Sequence, residues 1–304
     1  MREWIIGIDG GGTKTIAYAA TTSGKIIGKA QETASNYHVV GVDEFKRVVI
    51  SLIKRLMEET GRQMMDLKVF SIGLAGVDRP EDERIVSEAL RDVGLTCKII
   101  LNHDAAIGLA AGAGKKHGIV LIAGTGSIAY GVNANGEDYR AGGFGHLIGD
   151  EGSGYDIAMN AIRLTLMAEE GRAKPTSLLQ HLLVAAQLNS RDELIGYVYK
   201  QANNKADLAK LAEAVVECAN TGDESATDII RAAGCALASL VKSVLNRGFA
   251  KEKNVKIIAC GSVLTQVPMI FEIVSAEIGN RGKLIPLEGD AALGAINIAV
   301  AAME

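Results

Sequence analysis

The chain has only 4 prolines and 4 cysteines among its 304 residues. Because 35 glycines occur beside so few prolines, we expect tight turns and backbone that approaches ligands closely, and not a disordered linker. The cysteines are Cys97, Cys218, Cys235 and Cys260, and no two of them form a CxxC pair. Their apolar sequence neighbours predict buried, reduced thiols.

An excess of positive charge is also missing. The formal net charge is −4 at pH 7, so no basic surface for nucleic acid is predicted. No uninterrupted apolar run reaches membrane-spanning length, and the N-terminus enters a strand without the apolar region of a signal peptide. These absences predict a cytoplasmic protein that binds neither nucleic acid nor membrane. The length and an apolar content of 48% fit a globular chain of two domains.

Strands and helices alternate in the first half of the chain, whereas the part after Asp150 is mostly helical. The predicted strands are Trp4–Asp9, Ile16–Thr21, Lys68–Leu74, Lys98–Leu101, Gly118–Ala123, Ile128–Val132, Val255–Ala259 and a short strand near Leu284. The predicted helices are Asp43–Gly61, Pro80–Asp92, Asp104–Ala113, about 153–170, 175–188, 191–201, 206–219, 223–248, Pro268–Gly279 and Ala291–Ala302.

One internal repeat links the two halves. The segment Gly12-Thr-Lys-Thr-Ile-Ala-Tyr18 matches Gly124-Thr-Gly-Ser-Ile-Ala-Tyr130, and the same offset carries Gly24 onto Gly136. Each copy predicts a strand, a Gly/Thr turn, a second strand and another turn. Two such halves predict two lobes that close on one ligand.

The turn in the first copy reads Asp-Gly-Gly-Gly-Thr-Lys-Thr over residues 9–15. Its glycine amides, the Thr13 and Thr15 hydroxyls and the Lys14 cation can cradle phosphate oxygens. The spacing is not that of a P-loop, and a strand follows where a P-loop needs a helix. A plain glycine hairpin is the alternative, but the crowding of Asp, Thr and Lys into one turn favours phosphate.

The turn in the second copy, Gly124 to Ala129, fits the GxGxxA pattern of dinucleotide-binding folds. That fold needs a helix next, whereas a strand and an Asn-Gly turn follow here. We therefore reject dinucleotide binding for this segment and keep phosphate binding.

Two segments that join a predicted strand to a predicted helix can each be interpreted as structural or as functional. Asp104 follows a strand and begins a helix, so it is either the helix N-cap or a general base that accepts a hydroxyl proton in phosphoryl transfer. The segment Ala259-Cys-Gly-Ser262 also joins a strand to a helix. It is either a simple turn or a place where a flat ring approaches the backbone.

The segment Gly142 to Ser153 contains five glycines around Phe144, His146, Asp150 and Glu151. An aromatic ring suits the face of a sugar and carboxylates suit its hydroxyls, so the segment predicts a ligand loop. His146 taken alone is more often structural. No other His or Cys lies at metal-ligand spacing from it, so a metal site is not predicted.

Taken together, these segments resemble the N-acetylglucosamine kinases and the BadF/BcrA-type ATPase family of the sugar-kinase/actin/Hsp70 superfamily. The motifs occur in the expected order along nearly the whole chain: phosphate-1 at 5–18, connect-1 at 100–112, phosphate-2 at 119–130, adenosine at 257–265 and connect-2 at 289–299. The resemblance implies an α/β fold of two RNase H-like (actin-like ATPase) domains around an interdomain cleft. One domain would comprise 1–115 plus 290–304, and the other 116–289 with a helical insert.

The resemblance also implies a role for each matching residue. Asp104 would be the catalytic base, and Asp9 would organise magnesium through water. Contacts to ATP are implied for Gly11, Gly12, Thr13, Lys14, Thr125, Gly126, Ala219, Gly261 and Thr265. Contacts to the sugar are implied for Asn36, Ser127, Gly143, Phe144, Gly145 and Asp150.

The implied activity is transfer of the γ-phosphoryl group of ATP, with Mg²⁺, to an amino sugar such as N-acetylglucosamine or glucosamine. The 6-hydroxyl is the expected acceptor, and a homodimer the expected assembly. An ATPase that drives a partner protein is the alternative, and a nucleotide-dependent sugar sensor is a third possibility. Phe144 stands where the eukaryotic kinases carry Trp, which leaves the identity of the sugar open. The cysteine cluster of the ROK glucokinases is absent from the sequence.

Overall fold

The computed structural model describes residues 2–77, 79–114, 117–201 and 204–303, and the chain divides into two compact units. Unit 1 comprises residues 1–117 and 287–304, and unit 2 comprises residues 118–286. The domain limits inferred from the sequence differ from these by two or three residues, and the division into those two domains stays a prediction.

Each unit is built from strands and helices in alternation. The strands are β1 (Trp4–Gly10), β2 (Lys14–Thr21), β3 (Ile26–Thr33), β4 (Leu67–Leu74), β5 (Lys98–His103), β6 (Gly118–Ala123), β7 (Ser127–Val132), β8 (Asp138–Gly142), β9 (Val255–Cys260) and β10 (Gly282–Pro286). The helices are α1 (Tyr37–Val40), α2 (Val42–Thr60), α3 (Pro80–Asp92), α4 (Asp104–Ala113), α5 (Gly154–Glu169), α6 (Leu178–Ala186), α7 (Arg191–Lys200), α8 (Lys205–Lys210), α9 (Ala212–Asn220), α10 (Glu224–Gly248), α11 (Ser262–Gln266), α12 (Pro268–Ile278) and α13 (Ala292–Ala301).

The two units have the same sheet topology. Unit 1 has the strand order β3-β2-β1-β4-β5, and unit 2 has the order β8-β7-β6-β9-β10. In both sheets the first three strands of the unit pair antiparallel, and the last two run parallel to the first. The sequence repeat therefore corresponds to a whole repeated sheet, and the predicted α/β fold of two RNase H-like units is confirmed.

The third strand of each sheet was not predicted from the sequence. β3 and β8 lie at sheet edges and pair on one side only. Along β3 apolar and polar side chains are mixed, and several are exposed, so the strand lacks the apolar run that marks a buried strand.

The single helix predicted at 206–219 is also wrong. The N–H of Leu211 donates to the carbonyl of Leu208, three residues back, and this tighter turn separates α8 from α9.

β1 is buried on both faces, which fixes the position of its carboxyl end. Ile6 and Ile8 alternate with Ile5 along the strand, so they face opposite sides of the sheet. Ile6 and Ile8 belong to the core that includes α2 and α3, whereas Ile5 packs with Ile296 and Ala299 of α13. Asp9, the next residue of β1 after Ile8, is thereby held at the end of a rigid central strand.

The cysteines are all free thiols, but they are not all buried. Cys218 and Cys260 are buried, Cys97 is half-buried and Cys235 is exposed. The prediction of a buried thiol is wrong for Cys235 because the preceding residue, Gly234, occupies the packed face of α10 against Ile273. The next residue along a helix points about 100° away from that face.

Within the part of the chain that the structure describes, no helix is long and apolar enough to cross a membrane.

The packing of α13 on α4 depends on Gly294. A Cβ atom at this position would lie 1.8 Å from the carbonyl oxygen of Ile107 and 2.6 Å from the backbone nitrogen of Ala111. We expect Gly294→Ala to destabilise the protein by about 2 kcal/mol or more, because the backbones must separate. Gly196→Ala is the matched control: it lies in α7, and its Cβ would enter open space. It should stabilise the protein by about 0.5–1 kcal/mol. Urea unfolding measures both, and equal effects would contradict the close packing.

Candidate active site

The carboxyl end of β1 lies beside two other strand ends in unit 1. β1, β4 and β5 run parallel, and Asp9, Gly73 and Asn102 lie in one row across them. Asp104 follows Asn102 by two residues, so Asp9 and Asp104 lie at the same edge of the sheet. This edge is where open α/β sheets bind their ligands.

Negative charge is concentrated at this edge. Burial raises the pKa of Asp9 to about 7, and the charges of Asp104 and Asp290 act in the same direction. Lys14 opposes them. Asp9 therefore sits where a cation is electrostatically favoured.

The donors at this edge fit magnesium better than a metal held by protein alone. Among the described residues, no group of three or more His, Cys, Asp or Glu side chains is placed to hold a metal ion. Magnesium at phosphate sites is usually held by one or two carboxylates together with water and phosphate oxygens. The carboxylate of Asp9 beside a turn predicted to bind phosphate matches that pattern, and its magnesium role stays a prediction.

Asp104 is not the N-cap of α4. That position is taken by His103, whose Nδ1 accepts the N–H of Ala106 at 3.1 Å. Asp104 is the first helical residue, and its Oδ1 accepts the N–H of Ala105 at 2.8 Å. The N-cap alternative is therefore wrong, because β5 extends through His103 before the helix begins. The general-base alternative stays a prediction.

The glycine turn after β1 is closed by a hydrogen bond from the N–H of Gly11 to the carbonyl of Lys14, at 3.1 Å. Thr13 and Lys14 are exposed beside it, and Gly12 is half-exposed, as a phosphate site requires. The phosphate contact predicted for the Thr15 hydroxyl is wrong. Thr15 is fully buried and donates to the carbonyl of Thr33 at 2.7 Å, since the alternation of β2 turns it inward.

Asn36 lies close to this turn. Its backbone N–H and that of Ser35 donate to the carbonyl of Gly11 at 3.3 and 3.2 Å. The Asn36 side chain is the N-cap of α1, where Oδ1 accepts the N–H of His38 at 3.1 Å. Capping uses only the oxygen, so the Nδ2 group is left to donate to a ligand. The predicted sugar contact is compatible with the cap.

In unit 2 the corresponding turn is tied to the glycine-rich loop at 142–153. Gly124 donates to the carbonyl of Gly126 at 3.0 Å, which closes the turn around the half-exposed Thr125. Ser127 is buried and donates through Oγ to the carbonyl of Glu151 at 2.8 Å. Its own carbonyl accepts the N–H of Gly143 at 2.9 Å. The turn and the loop are therefore one structure.

Asp150 is the most constrained residue of that loop. It is buried, and its φ of 64° lies in the left-handed region that residues other than glycine seldom adopt. Oδ1 accepts the N–H of Ser127 at 3.1 Å, and Oδ2 lies 3.4 Å from the Nζ of Lys205. A Cβ atom at Gly126 would lie 2.8 Å from Oδ1, so the carboxylate needs glycine there. Lys205 was not identified from the sequence, since it lies 55 residues away.

The exposed part of the loop carries an aromatic ring. Phe144 is 60% exposed, between Gly143 and Gly145, and the guanidinium of Arg140 lies 5.3 Å from its ring centre. An accessible ring on a loop predicted to bind the ligand suits stacking on a sugar.

The His146 ring packs edge-on against Tyr155. Burial lowers the pKa of His146, the charge of Lys205 acts in the same direction, and the charge of Asp150 opposes them. A neutral, packed imidazole agrees with a structural histidine.

The residues predicted for the adenosine pocket lie in two places in unit 2. Gly261 has a φ of 90° and lies against the end of β6, where a Cβ atom would approach the carbonyl oxygen of Ala123 to 2.3 Å. Thr265 is exposed and donates through Oγ1 to the carbonyl of Gly261 at 3.0 Å. Ala219 lies near the end of α9, half-buried against the core of unit 2, and its contact with ATP stays a prediction.

Asp290 is a charged residue of the unit 1 site that the sequence analysis missed. It accepts hydrogen bonds from the Tyr18 hydroxyl at 2.6 Å and from Lys29 Nζ at 2.8 Å. Burial disfavours its ionisation, but the bonds from Lys29 and Tyr18 lower the pKa of Asp290 below its ordinary value. Its only sequence signal is an acidic residue after Gly289, just before the last helix.

Comparison with known proteins identifies the family. Residues 6–299 match the BadF/BadG/BcrA/BcrD ATPase family. The chain belongs to this family. The resemblance inferred from the motifs is thereby confirmed.

Two curated relatives cover nearly the same length. An N-acetylmuramic acid/N-acetylglucosamine kinase from Clostridium acetobutylicum is 35% identical over 300 residues, which are 98% of each chain. An N-acetyl-D-glucosamine kinase from Dictyostelium discoideum is 33% identical, over 91% of this chain and 90% of its own. A solved structure from Chromobacterium violaceum has a TM-score of 0.82 at 24% identity, and covers 98% of this chain and 99% of its own. It supports the fold.

The raised pKa of Asp9 predicts a pH-dependent effect of Asp9→Asn on stability. The ordinary pKa is 3.8 and the folded value is about 7, so ionisation of Asp9 destabilises the ligand-free protein as the pH rises through this range. Without nucleotide and divalent cation, we expect Asp9→Asn to raise Tm by about 5 °C at pH 8. Near pH 4 the difference should shrink to a small part of its value at pH 8, because Asp9 is then neutral in the folded protein and only partly ionised in the unfolded chain.

The control is Asp92→Asn, a surface carboxylate that pairs with Lys46. Thermal unfolding from pH 4 to 8 should show no comparable gain for it at high pH. A gain for Asp9→Asn that is the same at every pH would contradict the electrostatic account.

Proposed function

We propose that this protein transfers the γ-phosphoryl group of ATP to a hydroxyl of an amino sugar of the N-acetylglucosamine or glucosamine type, at the 6-position. The observation that carries the proposal is the placement of Asp9 and Asp104 at one sheet edge, beside the exposed glycine turn that begins at Gly11. Family membership and two full-length relatives named as amino-sugar kinases support it.

In this reaction Asp104 accepts the proton of the sugar hydroxyl. The hydroxyl oxygen forms the new bond to the γ-phosphorus, the bond between that phosphorus and the β–γ bridging oxygen breaks, and ADP leaves with the electron pair. The amide of Gly12, with Thr13 and the Lys14 cation, holds the phosphates beside Gly11, whose own N–H closes the turn. Mg²⁺, when bound, neutralises charge on the phosphate oxygens. Asp9 would hold that ion through water molecules.

The remaining assignments belong to the same proposal. Asn36 and the glycine-rich loop with Phe144 and Asp150 bind the sugar, and the turn at Thr125 and Gly126 binds nucleotide phosphates. Gly261 borders the adenine. The protein works as a homodimer in the cytoplasm.

A second candidate is an ATPase that drives a partner protein, which the description of the matched family favours. Release of ADP separates the two. We expect ADP release from ATP and Mg²⁺ to rise at least about 100-fold when the accepted amino sugar is added, because the acceptor hydroxyl is the nucleophile. The panel is N-acetylglucosamine, glucosamine, N-acetylmuramic acid and glucose. Equal ADP release with and without every sugar would overturn the kinase proposal and favour the ATPase.

The role of Asp104 is tested by Asp104→Asn. Asn keeps the size of the side chain, and His103 caps the helix, so the variant should fold and bind both substrates. Because it cannot accept the proton, kcat should fall by roughly 10²–10⁴-fold. The control is Asp92→Asn, which changes the last residue of α3 in the same unit and should leave kcat unchanged. Measurement of kcat beside Tm decides the point, and a fully active Asp104→Asn enzyme would remove Asp104 from the mechanism.

A further inference from the structure

A buried carboxylate lies next to the segment that carries Asn36. Asp82, in the first turn of α3, is 5% exposed. Its Oδ1 accepts a short hydrogen bond from the Tyr37 hydroxyl and lies 3.2 Å from Nε2 of His38. Its Oδ2 accepts the backbone N–H of Arg79 at 3.1 Å. A buried carboxylate is costly unless donors surround it, and here α1 and the start of α3 supply them.

The two oxygens serve different structures. The bond of Oδ2 to Arg79 is part of the capping box of α3 and is a local contact, three residues apart. The acceptor in that bond is Oδ2 and not Oδ1. It faces Tyr37 and His38, the two residues that directly follow Asn36.

α1 needs such an anchor. It has only four residues, Tyr37–Val40, and of these only Tyr37 is buried. A helix of one turn has no stability of its own, so its orientation is set by tertiary contacts. Burial raises the pKa of Tyr37, and its hydrogen bond to Asp82 acts in the same direction, so the phenol stays protonated and donates.

The segment is also held from its other side. Ser35 and Asn36 donate to the carbonyl of Gly11, as described above. Nε2 of His38 lies 3.1 Å from the carbonyl of Gly76, and a Cβ atom at Gly76 would lie 3.3 Å from Nδ2 of Asn36. The Asn36 side chain is therefore fixed between the phosphate turn and contacts that lead to Asp82.

We propose that Asp82 is a positioning residue for the amino sugar: through Tyr37 and His38 its carboxylate orients α1 and thus the Nδ2 group of Asn36. This inference rests on the proposed function. It differs from a structural role in α3, because the contacts of Oδ1 with Tyr37 and His38 lead to the sugar-binding segment. The two arms can be separated experimentally, since Tyr37→Phe removes a donor to Oδ1 and leaves the capping bond intact.

The experiment is steady-state kinetics of the full chain with the amino sugar that the wild type accepts best. When Asn36 is no longer held in place, its hydrogen bond to the sugar is lost, which corresponds to roughly tenfold in binding. For Asp82→Asn we expect KM for the sugar to rise about tenfold or more, with KM for ATP and kcat within about threefold of wild type. Tyr37→Phe should raise KM for the sugar in the same selective way, by several-fold.

Asp223→Asn is the matched control. Asp223 is likewise a helix-capping carboxylate with several donors, among them Thr176, Ser177 and the N–H of Ala226 at the start of α10. Its replacement should lower Tm by an amount comparable to Asp82→Asn and leave KM for the sugar unchanged. If Asp223→Asn lowers Tm without changing KM for the sugar, the rise of KM in Asp82→Asn is not caused by the loss of stability.

Each outcome is decisive. Unchanged KM for the sugar in folded Asp82→Asn and in Tyr37→Phe would overturn the positioning role while the kinase proposal stands. A parallel rise of KM for ATP and for the sugar would also overturn it, because it would show general loosening. If Asp82→Asn does not fold, Tyr37→Phe alone decides the question. A wild type whose ADP release ignores every sugar would instead overturn the proposed function, and with it the inference.

Discussion

The candidate active site depends on the negative charge of the carboxylates that lie at the end of β1. A central strand buried on both faces holds Asp9 in place, and the parallel register brings Asp104 to the same edge. The result is a carboxylate whose pKa is raised to about 7. Ionisation of Asp9 is unfavourable in the ligand-free protein and becomes favourable when a cation binds beside it, as the Mg²⁺ of the proposed reaction would.

The repeated sheet places the two copies of the turn in different surroundings. In unit 1 the turn lies beside carboxylates, whereas in unit 2 the turn at Gly124 is bonded to a glycine-rich loop with an exposed Phe144 and a strained Asp150. One copy therefore offers charge and the other offers a surface with an aromatic ring and few side chains. Together these surroundings agree with a reaction that needs both phosphate handling and recognition of a sugar.

The sequence predicts the features that depend on neighbouring residues. The Gly/Thr turns and their repeat are local patterns, and the fold class was implied by the family resemblance that the order of the motifs supports. The edge strand β3 was missed because it is too polar, and Thr15 was misplaced because its side chain faces inward. The partners of Asp290 and Asp150 lie 261 and 55 residues away, respectively, so no local pattern marks them.

The most direct measurement is a crystal structure of the protein with an unreactive ATP analogue, Mg²⁺ and N-acetylglucosamine. We expect a carboxylate oxygen of Asp104 within about 2.6–3.2 Å of the oxygen of the sugar 6-hydroxyl, which is hydrogen-bond reach for a general base. We also expect the γ-phosphate at the turn formed by Gly11 and Gly12. A sugar hydroxyl directed away from Asp104, with nucleotide phosphates remote from Asp9, would contradict the proposed function.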